Sequence, residues 1–138
     1  MFDKFLDQLK KQIEGEATEA FMELLLNGMS LTLRLSRGYR SNIKNFEGRY
    51  VFQTADGAVE DYVVFQNDRM KIYDRVQNGW NVRVTFKDAA ALRNFLFSRN
   101  QDIVDSILAN TVTVDGNLNY IYKFGFMARD LLHRLGAV

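Results

Sequence analysis

Few side chains in this sequence are of the types that act as catalytic groups or metal ligands, and they are far apart in the sequence. The chain has a single histidine, His133, and no cysteine, so it can assemble neither a thiolate nucleophile nor a Cys/His metal site. No Gly-x-Ser-x-Gly elbow accompanies His133, which stands near the end of a predicted helix, where an imidazolium interacts with the last carbonyl groups. We therefore expect no catalytic residue, no bound metal, no cofactor and no enzyme activity.

Two charged runs stand out, and each has an ordinary interpretation. Glu16, Glu19 and Glu23 fall on one helical face without a nearby histidine, which indicates a solvated face. A basic run follows, in which Glu47 is the only acidic residue; its cations are Arg34, Arg37, Arg40, Lys44 and Arg49. This run is either a solvated connector or a surface on which Arg37, Arg40 and Lys44 dock on anionic lipid headgroups. No nucleic-acid-binding signature accompanies it, so we expect no nucleic acid partner.

Composition indicates one ordinary globular domain. With 138 residues, of which 47% are hydrophobic and 25% charged, the chain is large enough for one core. The net charge of +1 gives no overall field that selects a partner. No apolar run approaches the roughly 18 residues of a membrane span, and the lack of cysteine suits a reducing compartment. We expect a cytoplasmic protein with a single domain over residues 1–138.

The elements that position these residues begin with helices. Apolar residues recur at helical spacing on both sides of Gly15, which predicts an N-terminal helical segment over residues 1–45. The core domain is then predicted over residues 46–135. Four β-rich runs follow, at residues 49–54, 59–66, 69–76 and 80–86, separated by Asp56-Gly57, Asn67-Asp68 and Asn78-Gly79.

Turn residues and apolar matching predict how these four strands pair. A two-residue turn at Asn67-Asp68 sets Phe65 opposite Met70, and a tight turn at Asp56-Gly57 sets Tyr50 opposite Val63. A three-residue turn over residues 77–79, with Gly79 in the left-handed conformation, would set Ile72 opposite Val84 and Met70 opposite Phe86. This makes an antiparallel meander of all four strands. One face would then be apolar; it carries Tyr50, Phe52, Val63, Phe65, Met70, Ile72, Val82, Val84 and Phe86. The other face is mixed and needs partial cover, from the N-terminal helices or a second subunit.

The periodicity changes to that of helices after residue 86. Asp88 and Asn100 are suited to cap two short helices, and Asn110 ends the second of them. Residues 111–114 form a short β run, which Asp115-Gly116 turns into a C-terminal helix. That helix has an apolar arc wider than one packing contact requires. We therefore predict an α+β fold, with an antiparallel five-stranded sheet (a four-strand meander plus one) covered by helices.

The order of these elements over residues 46–132 resembles the sterol carrier protein 2 family. Residues 84–88, Val-Thr-Phe-Lys-Asp, match the junction at which such domains pass from meander to helices through a Thr and an acidic residue. Residues 112–117, Val-Thr-Val-Asp-Gly-Asn, match the last strand and the turn into the final helix. Two departures are residues 98–100 and Asn110, where the family often has glycine, but Asn also tolerates left-handed backbone.

The resemblance implies a protein that binds or transfers a lipid, which is sterol-like, fatty acyl or isoprenoid, in an apolar cavity between sheet and helices. The ligand-binding residues that it implies lie on the apolar sheet face and on the helices opposite: Phe52, Val63, Phe65, Ile72, Val84, Phe86, Leu96, Ile103, Ile107, Leu108, Ile121, Phe124 and Met127. Two alternatives stay open. One is a non-catalytic interaction or dimerisation module, such as a homodimer, and the other an accessory factor that presents a quinone-type lipid intermediate to biosynthetic enzymes.

Overall fold

A five-stranded sheet with helices packed on one face forms the part of the protein that the structure describes. The computed structural model describes residue 11, residues 20–97 and residues 103–135. Its helices are α1 (Ala20–Leu35), α2 (Arg37–Arg40), a 3-10 turn (Ser41–Ile43), α3 (Ala89–Phe97), α4 (Ile103–Leu108) and α5 (Leu118–Arg134). Its strands are β1 (Gly48–Thr54), β2 (Glu60–Gln66), β3 (Arg69–Tyr73), β4 (Val82–Phe86) and β5 (Val112–Gly116).

The sheet is mixed, so the prediction of a purely antiparallel sheet is wrong. The strand order is β3-β2-β1-β4-β5. Strands β1, β2 and β3 pair antiparallel in the predicted registers, with Tyr50 opposite Val63 and Phe65 opposite Met70. Strand β4 does not pair with β3; it lies parallel to β1, with Val84 beside Phe52, and β5 is antiparallel to β4. The predicted partners of Val84 and Phe86 on β3 are therefore incorrect.

The apolar pattern of β4 does not select its partner, which explains this error. Alternation with a period of two fixes which face a residue occupies, and either neighbour would keep Val82, Val84 and Phe86 on the apolar face. The pairing of β4 with β1 also makes β1 an inner strand with neighbours on both sides, whereas a four-strand meander would leave β1 at an edge. Tyr50 and Val51 of β1 are fully buried, as an inner strand requires.

All the main helices contribute to one core on the apolar face of the sheet, which we call the inner face. Phe21, Leu25 and Met29 of α1 belong to the same buried cluster as Phe65 of β2 and Leu131 of α5. The opposite face, the outer face, has a separate small cluster formed by Val51, Tyr62 and Val64. Helix α1 therefore packs on the inner face and does not cover the outer one.

Turn and cap residues behave largely as their types predict. Asn67 and Asp68 both have positive φ angles, which a tight two-residue hairpin turn requires. Asp88 accepts a hydrogen bond from the backbone N–H of Ala91 at 2.8 Å and so caps the start of α3. Asn110 has a φ of 62°, which shows that it takes the left-handed conformation expected of it. Residues 98–102, which include Asn100, lie outside the described residues.

The segment between β3 and β4, residues 74–81, carries the chain across the sheet. Tyr62 on the outer face donates a hydrogen bond from its hydroxyl to the carbonyl of Gly79 in this segment. The backbone N–H of Arg49 donates to the side-chain oxygen of Asn81 at 2.8 Å, and the N–H of Asn81 donates back to the Arg49 carbonyl at 2.9 Å. These bonds place Val82 beside Tyr50 and thereby set the parallel register of β4.

Within the described part of the chain, no helix is long and apolar enough to cross a membrane.

Candidate functional site

A small apolar cavity lies between the inner face of the sheet and the helices. Its volume is about 20 Å³. The residues that line it come from three helices and two strands: Met22 of α1, Phe52 of β1, Val84 and Phe86 of β4, Leu92 and Phe95 of α3, and Ile121, Phe124 and Gly125 of α5. A cavity of this size has room for about one water molecule, whereas ligand pockets commonly measure about 300–1,000 Å³. The space is therefore too small for a lipid in this structure, and we call this contracted state closed.

Aromatic rings close the cavity. The ring centroids of Phe52 and Phe124 are 4.5 Å apart, so strand β1 and helix α5 touch directly at this point. Tyr50 stacks on Phe52 at 5.6 Å and also contacts Phe124 at 5.7 Å. On the other side, the rings of Phe86 and Phe95 are 6.1 Å apart and join β4 to α3. A ligand that enters this space must therefore separate rings that now contact one another.

Two buried tyrosine hydroxyls at the borders of the site have partners. The Tyr50 hydroxyl donates to the carbonyl of Tyr120 at 2.8 Å, and the Tyr39 hydroxyl donates to the carbonyl of Met127 at 2.9 Å. Burial is the main reason why the pKa of each of these tyrosines is raised, so both stay neutral. Among the described residues, no buried side-chain polar atom lacks a hydrogen-bond partner. Among these residues, the apolar space therefore faces no buried side-chain polar atom that lacks a hydrogen bond.

The predicted ligand-binding residues occupy several different environments. Five of the predicted residues line the cavity together: Phe52, Val84, Phe86, Ile121 and Phe124. Three more are buried elsewhere in the same core, namely Val63, Phe65 and Met127. Two are partly buried against that core, namely Ile72 and Ile107. Leu108 is 75% exposed, at the end of α4. The side chains of Leu96 and Ile103 lie outside the described residues.

The sequence reasoning missed Met22, Leu92, Phe95 and Gly125 as residues that line the cavity. Leu92 and Phe95 carry a readable signal, because they are the apolar positions of a helix that Asp88 caps. Met22 was missed because the N-terminal helices were considered only as one of two covers for the other face of the sheet, the alternative being a second subunit. The sequence does not predict the place of Gly125, since a glycine within a helix can mark either the close approach of another segment or a position where the helix is less stable.

Most cations of the basic run are exposed, but Arg40 is partly buried. Arg37 and Lys44 are exposed. Arg40 donates from one guanidinium nitrogen to the carbonyls of Leu33 and Arg34, at 3.0 and 3.1 Å, and so caps the C-terminus of α1.

His133 lies exposed in the last turn of α5, where a general base would need a carboxylate to orient it. The nearby carboxylate of Asp130 accepts hydrogen bonds from Arg134 at 3.0 Å and from Asn42 at 2.9 Å, so it is engaged elsewhere. Where side chains are described, no group of three or more His, Cys, Asp and Glu residues could hold a metal ion.

One carboxyl on β2, close to α1, has an unusual environment. Asp61 lies opposite Phe52 in the β1–β2 register and lines an open concavity that also includes Glu23 and Asp74. Burial, followed by the negative charges of Glu23, Asp74 and Glu60, raises the pKa of Asp61 to about 6. The carboxyl therefore gains or loses its proton near neutral pH.

Comparison with known proteins identifies the fold. No protein-family model matches the sequence, and no curated protein matches it. Solved structures do match. The chain is similar to a UbiJ-SCP2 ubiquinone synthesis protein, with a TM-score of 0.62 and 17% identity over 83% of this chain and 90% of that chain.

Two further solved structures are similar to this chain. A conserved hypothetical protein from Thermus thermophilus, described as a candidate sterol carrier protein, matches with a TM-score of 0.50 and 13% identity over 83% of this chain and 85% of that chain. The stereoselective inverting sec-alkylsulfatase Pisa1 from Pseudomonas sp. matches with a TM-score of 0.53 and 16% identity, over 64% of this chain but only 13% of the enzyme. At these identities the likeness establishes the fold alone. The predicted sterol-carrier-protein-2-like fold is thereby confirmed.

Proposed function

We propose that the protein binds and carries a lipid, which is sterol-like, fatty acyl or isoprenoid, in the space between the inner face and helices α3 and α5. The observation that carries this proposal is the cavity at the centre of the fold, which strands and three helices line with apolar residues alone. An apolar space of this kind favours the apolar part of a ligand, and it sets few directional requirements.

The bound state requires the closed space to expand. Leu92 and Phe95 of α3 stand on one side of the cavity, and Ile121 and Phe124 of α5 on another. Separation of α3 from α5 would enlarge the cavity while the β1–β4 pairing stays intact. Burial of apolar ligand surface contributes about 25 cal/mol per Å², which offsets the loss of contacts between the rings.

The sequence offers the proposed carrier no evident catalytic group, so we propose that it is not an enzyme. One form of the role is presentation of a quinone-type lipid intermediate to biosynthetic enzymes. The name of a similar solved structure, a ubiquinone synthesis protein, supports this form. The absence of cysteine in the sequence suits the reducing cytoplasm as the place of action.

Native mass spectrometry of the purified protein tests the lipid proposal. We expect adducts of several hundred daltons on the monomer, which disappear after extraction with organic solvent. Added palmitate or a polyprenyl alcohol should restore an adduct of the corresponding mass. If the extracted protein takes up neither of these ligands nor a sterol, the lipid proposal is wrong.

A second candidate function is an interaction module without a ligand. It is favoured by two aromatic residues one turn apart on the solvent side of α5: Tyr122 is 48% exposed and Phe126 is 62% exposed. In this role α5 would pack on a partner or on a twin subunit. A dimer without adducts in the same mass spectra, dissociated by Phe126→Ser, would support this function in place of the first.

We further propose that the carrier docks transiently on anionic membranes through Arg37, Arg40 and Lys44. Leu35, which is 56% exposed, lies beside this run and adds an apolar contact. Each cation near an anionic surface contributes about 1 kcal/mol, and salt weakens this attraction. Because Arg40 also caps α1, its replacement would disturb the helix as well as the charge.

Vesicle co-sedimentation tests the docking surface. Arg37→Gln with Lys44→Gln should weaken binding to vesicles that contain phosphatidylglycerol, and added salt should weaken binding of the unchanged protein. Arg75→Gln with Lys87→Gln is the control, because it removes equal charge from exposed positions outside the run. If both double variants and added salt leave binding unchanged, the run is a solvated connector.

A further inference from the structure

The outer face has a concavity of its own, on the opposite side of the sheet from the apolar cavity. Its volume is about 540 Å³. The floor consists of Val64 and the buried ring of Tyr62, and Tyr73, which is 38% exposed, stands at one side. The remaining residues around it are Arg49, Gln66, Asn67, Arg69, Lys71 and Gln77.

Cations from three different positions surround this floor. In the strand registers, Arg49 on β1 and Lys71 on β3 both lie opposite Val64 on β2. Since residues directly opposite each other point to the same face, the two cations flank Val64 with a spacing of two strands, about 10 Å. Arg69 lies at the turn end of β3, next to the same concavity.

Few acidic groups lie close to these cations. Among the described residues, no Asp or Glu lines the concavity. Outside it, Asp68 lines a neighbouring concavity that shares Arg69 and Lys71, and Glu47 adds to the effect of the Tyr62 hydroxyl that raises the pKa of Arg49. Among the described residues, Arg69 and Lys71 form no ion pair, and Arg49 donates a hydrogen bond to the Tyr62 hydroxyl at 3.3 Å. Three like charges around one concave surface repel one another, so an anion that binds between them is favoured.

The floor and side of the concavity add a preference for the rest of the ligand. The partly exposed ring of Tyr73 and the small exposed part of Val64 present aromatic and apolar surface between the cations, while Tyr62 is fully buried beneath them. The side-chain amides of Gln66, Asn67 and Gln77 supply further donors at the border. We propose that this outer-face concavity binds a phosphate monoester attached to a planar, aromatic body.

The position of the bound phosphate follows from the geometry. An oxyanion lies between the Lys71 ammonium and the guanidinium groups of Arg49 and Arg69, since charge-assisted hydrogen bonds are the strongest available there. The aromatic body rests on Val64 beside the Tyr73 ring. The phosphate monoester could belong to a free small molecule, which would also supply the aromatic body, or to a lipid headgroup at a bilayer. This inference does not rest on the proposed lipid cavity, because the two sites lie on opposite faces of the sheet.

Fluorescence of Trp80 tests the site with phenyl phosphate as the probe. Trp80 is the only tryptophan in the sequence, and it follows Gly79, whose carbonyl holds the Tyr62 hydroxyl. Phenyl phosphate should change its emission in a saturable way, inorganic phosphate should bind more weakly, and neutral benzyl alcohol should not bind. Two-dimensional amide NMR should place the largest shifts at Arg49, Lys71 and Tyr73.

Charge variants make this test specific. Lys71→Gln should weaken phenyl phosphate binding about tenfold, the equivalent of one charge-assisted hydrogen bond. Lys71 is exposed on an edge strand, so this variant should fold normally, whereas Arg49→Gln also removes a contact to Tyr62. Lys87→Gln, at an exposed position outside the concavity, is the control of equal charge and should leave binding within about twofold, as expected for a distant, screened charge.

Vesicles separate the two sources of the phosphate group. Binding of phenyl phosphate that depends on Lys71 supports a free ligand. Binding only to phosphatidic acid vesicles, again dependent on Lys71, would assign the cations to a lipid headgroup and overturn the preference for an aromatic body. The inference is overturned if Lys71→Gln changes neither kind of binding, or changes it no more than Lys87→Gln does.

Discussion

The two faces of the same sheet differ in what surrounds them. On the inner face, rings such as Phe52 and Phe124 touch at 4.5 Å, and helices cover them. On the outer face, a small cluster of Val51, Tyr62 and Val64 is buried, and cations stand around part of it. The inner face provides an apolar space without charge, and the outer face provides charge around a small apolar floor.

Strand alternation is the physical origin of this difference. Consecutive residues point to opposite faces, so β2 places Val63 and Phe65 inside and Tyr62 and Val64 outside. A slip of one residue in register would exchange the two sets. The same pairing therefore determines both surfaces, and each can be changed by substitutions that leave the other intact.

The largest expected effect is on the inner face. Phe65→Ala should lower the free energy of unfolding by about 3 to 5 kcal/mol, because the ring is buried and contacts Tyr50 edge-on at 5.7 Å. Tyr73→Ala on the partly exposed outer face should cost less than about 1 kcal/mol. Urea unfolding measures both values. Equal losses would mean that the two faces do not differ in packing as described.

Phe124→Ala should cost less than Phe65→Ala, although both rings are buried. We predict a loss of less than about 3 kcal/mol, since a site that opens for a ligand collapses or fills more readily than a permanently packed core. The variant should also change lipid affinity. Unfolding in urea and a lipid-binding titration check the two parts separately. If Phe124→Ala lowers the free energy of unfolding as much as Phe65→Ala does and leaves lipid affinity unaltered, Phe124 belongs to an ordinary packed core.

Tyr62→Phe should have a smaller effect, confined to the outer face. Its hydroxyl donates to the Gly79 carbonyl and accepts from Arg49, so its loss should cost about 1 kcal/mol. Hydrogen exchange should accelerate in residues 77–81 and stay unchanged in α5. Tyr73→Phe is the matched control and should be close to neutral. Faster exchange throughout the protein would contradict the local role of Tyr62.

The last effect concerns pH, and the partial exposure of Asp61 to solvent limits its size. Because the pKa of Asp61 is raised from 3.8 to about 6, mainly by burial, the folded state binds this proton more tightly than the unfolded chain does. Its contribution to stability is fully present below the unfolded pKa and is lost as the pH rises through about 6. Thermal unfolding should therefore show a decrease in stability across this pH range, and Asp61→Asn should remove that decrease.

Asp56 provides a control of opposite sign for this pH effect. Hydrogen bonds from Thr54 and from the Ala58 backbone lower the pKa of Asp56, so its contribution is present at neutral pH and is lost as the pH falls through its folded value. Asp56→Asn should leave the change near pH 6 intact. If Asp61→Asn also leaves that change intact, another group is responsible.

The sequence predicts the faces of the strands better than their neighbours. The turn at Asn67-Asp68 and the pairing of Tyr50 with Val63 follow from local residue types, and the structure confirms them. The parallel pairing of β4 with β1 depends on hydrogen bonds between Arg49 and Asn81, which lie far apart in the sequence. Gly79 does have positive φ, as predicted, but it serves the segment that crosses the sheet and does not close a hairpin.

The candidate site was predictable only in part, for a related reason. Phe52, Val84 and Phe124 follow from the inner-face pattern and from the apolar arc of the last helix. Met22 reaches the cavity only because α1 packs on the inner face, which its own periodicity does not determine. The closed state of the cavity depends on how the rings of Phe52 and Phe124 meet across the core, and no local pattern encodes such a contact.

A methyl NMR titration with palmitate tests the central claim most directly, namely that the closed inner-face space opens to take a lipid. The account predicts saturable shifts for Met22, Val84, Leu92 and Ile121, which line the cavity, while Val51 and Val64 of the outer face stay unchanged. Shifts confined to exposed Leu108 or to the outer-face valines, or no saturable shift at all with palmitate, a polyprenyl alcohol or a sterol, would contradict it.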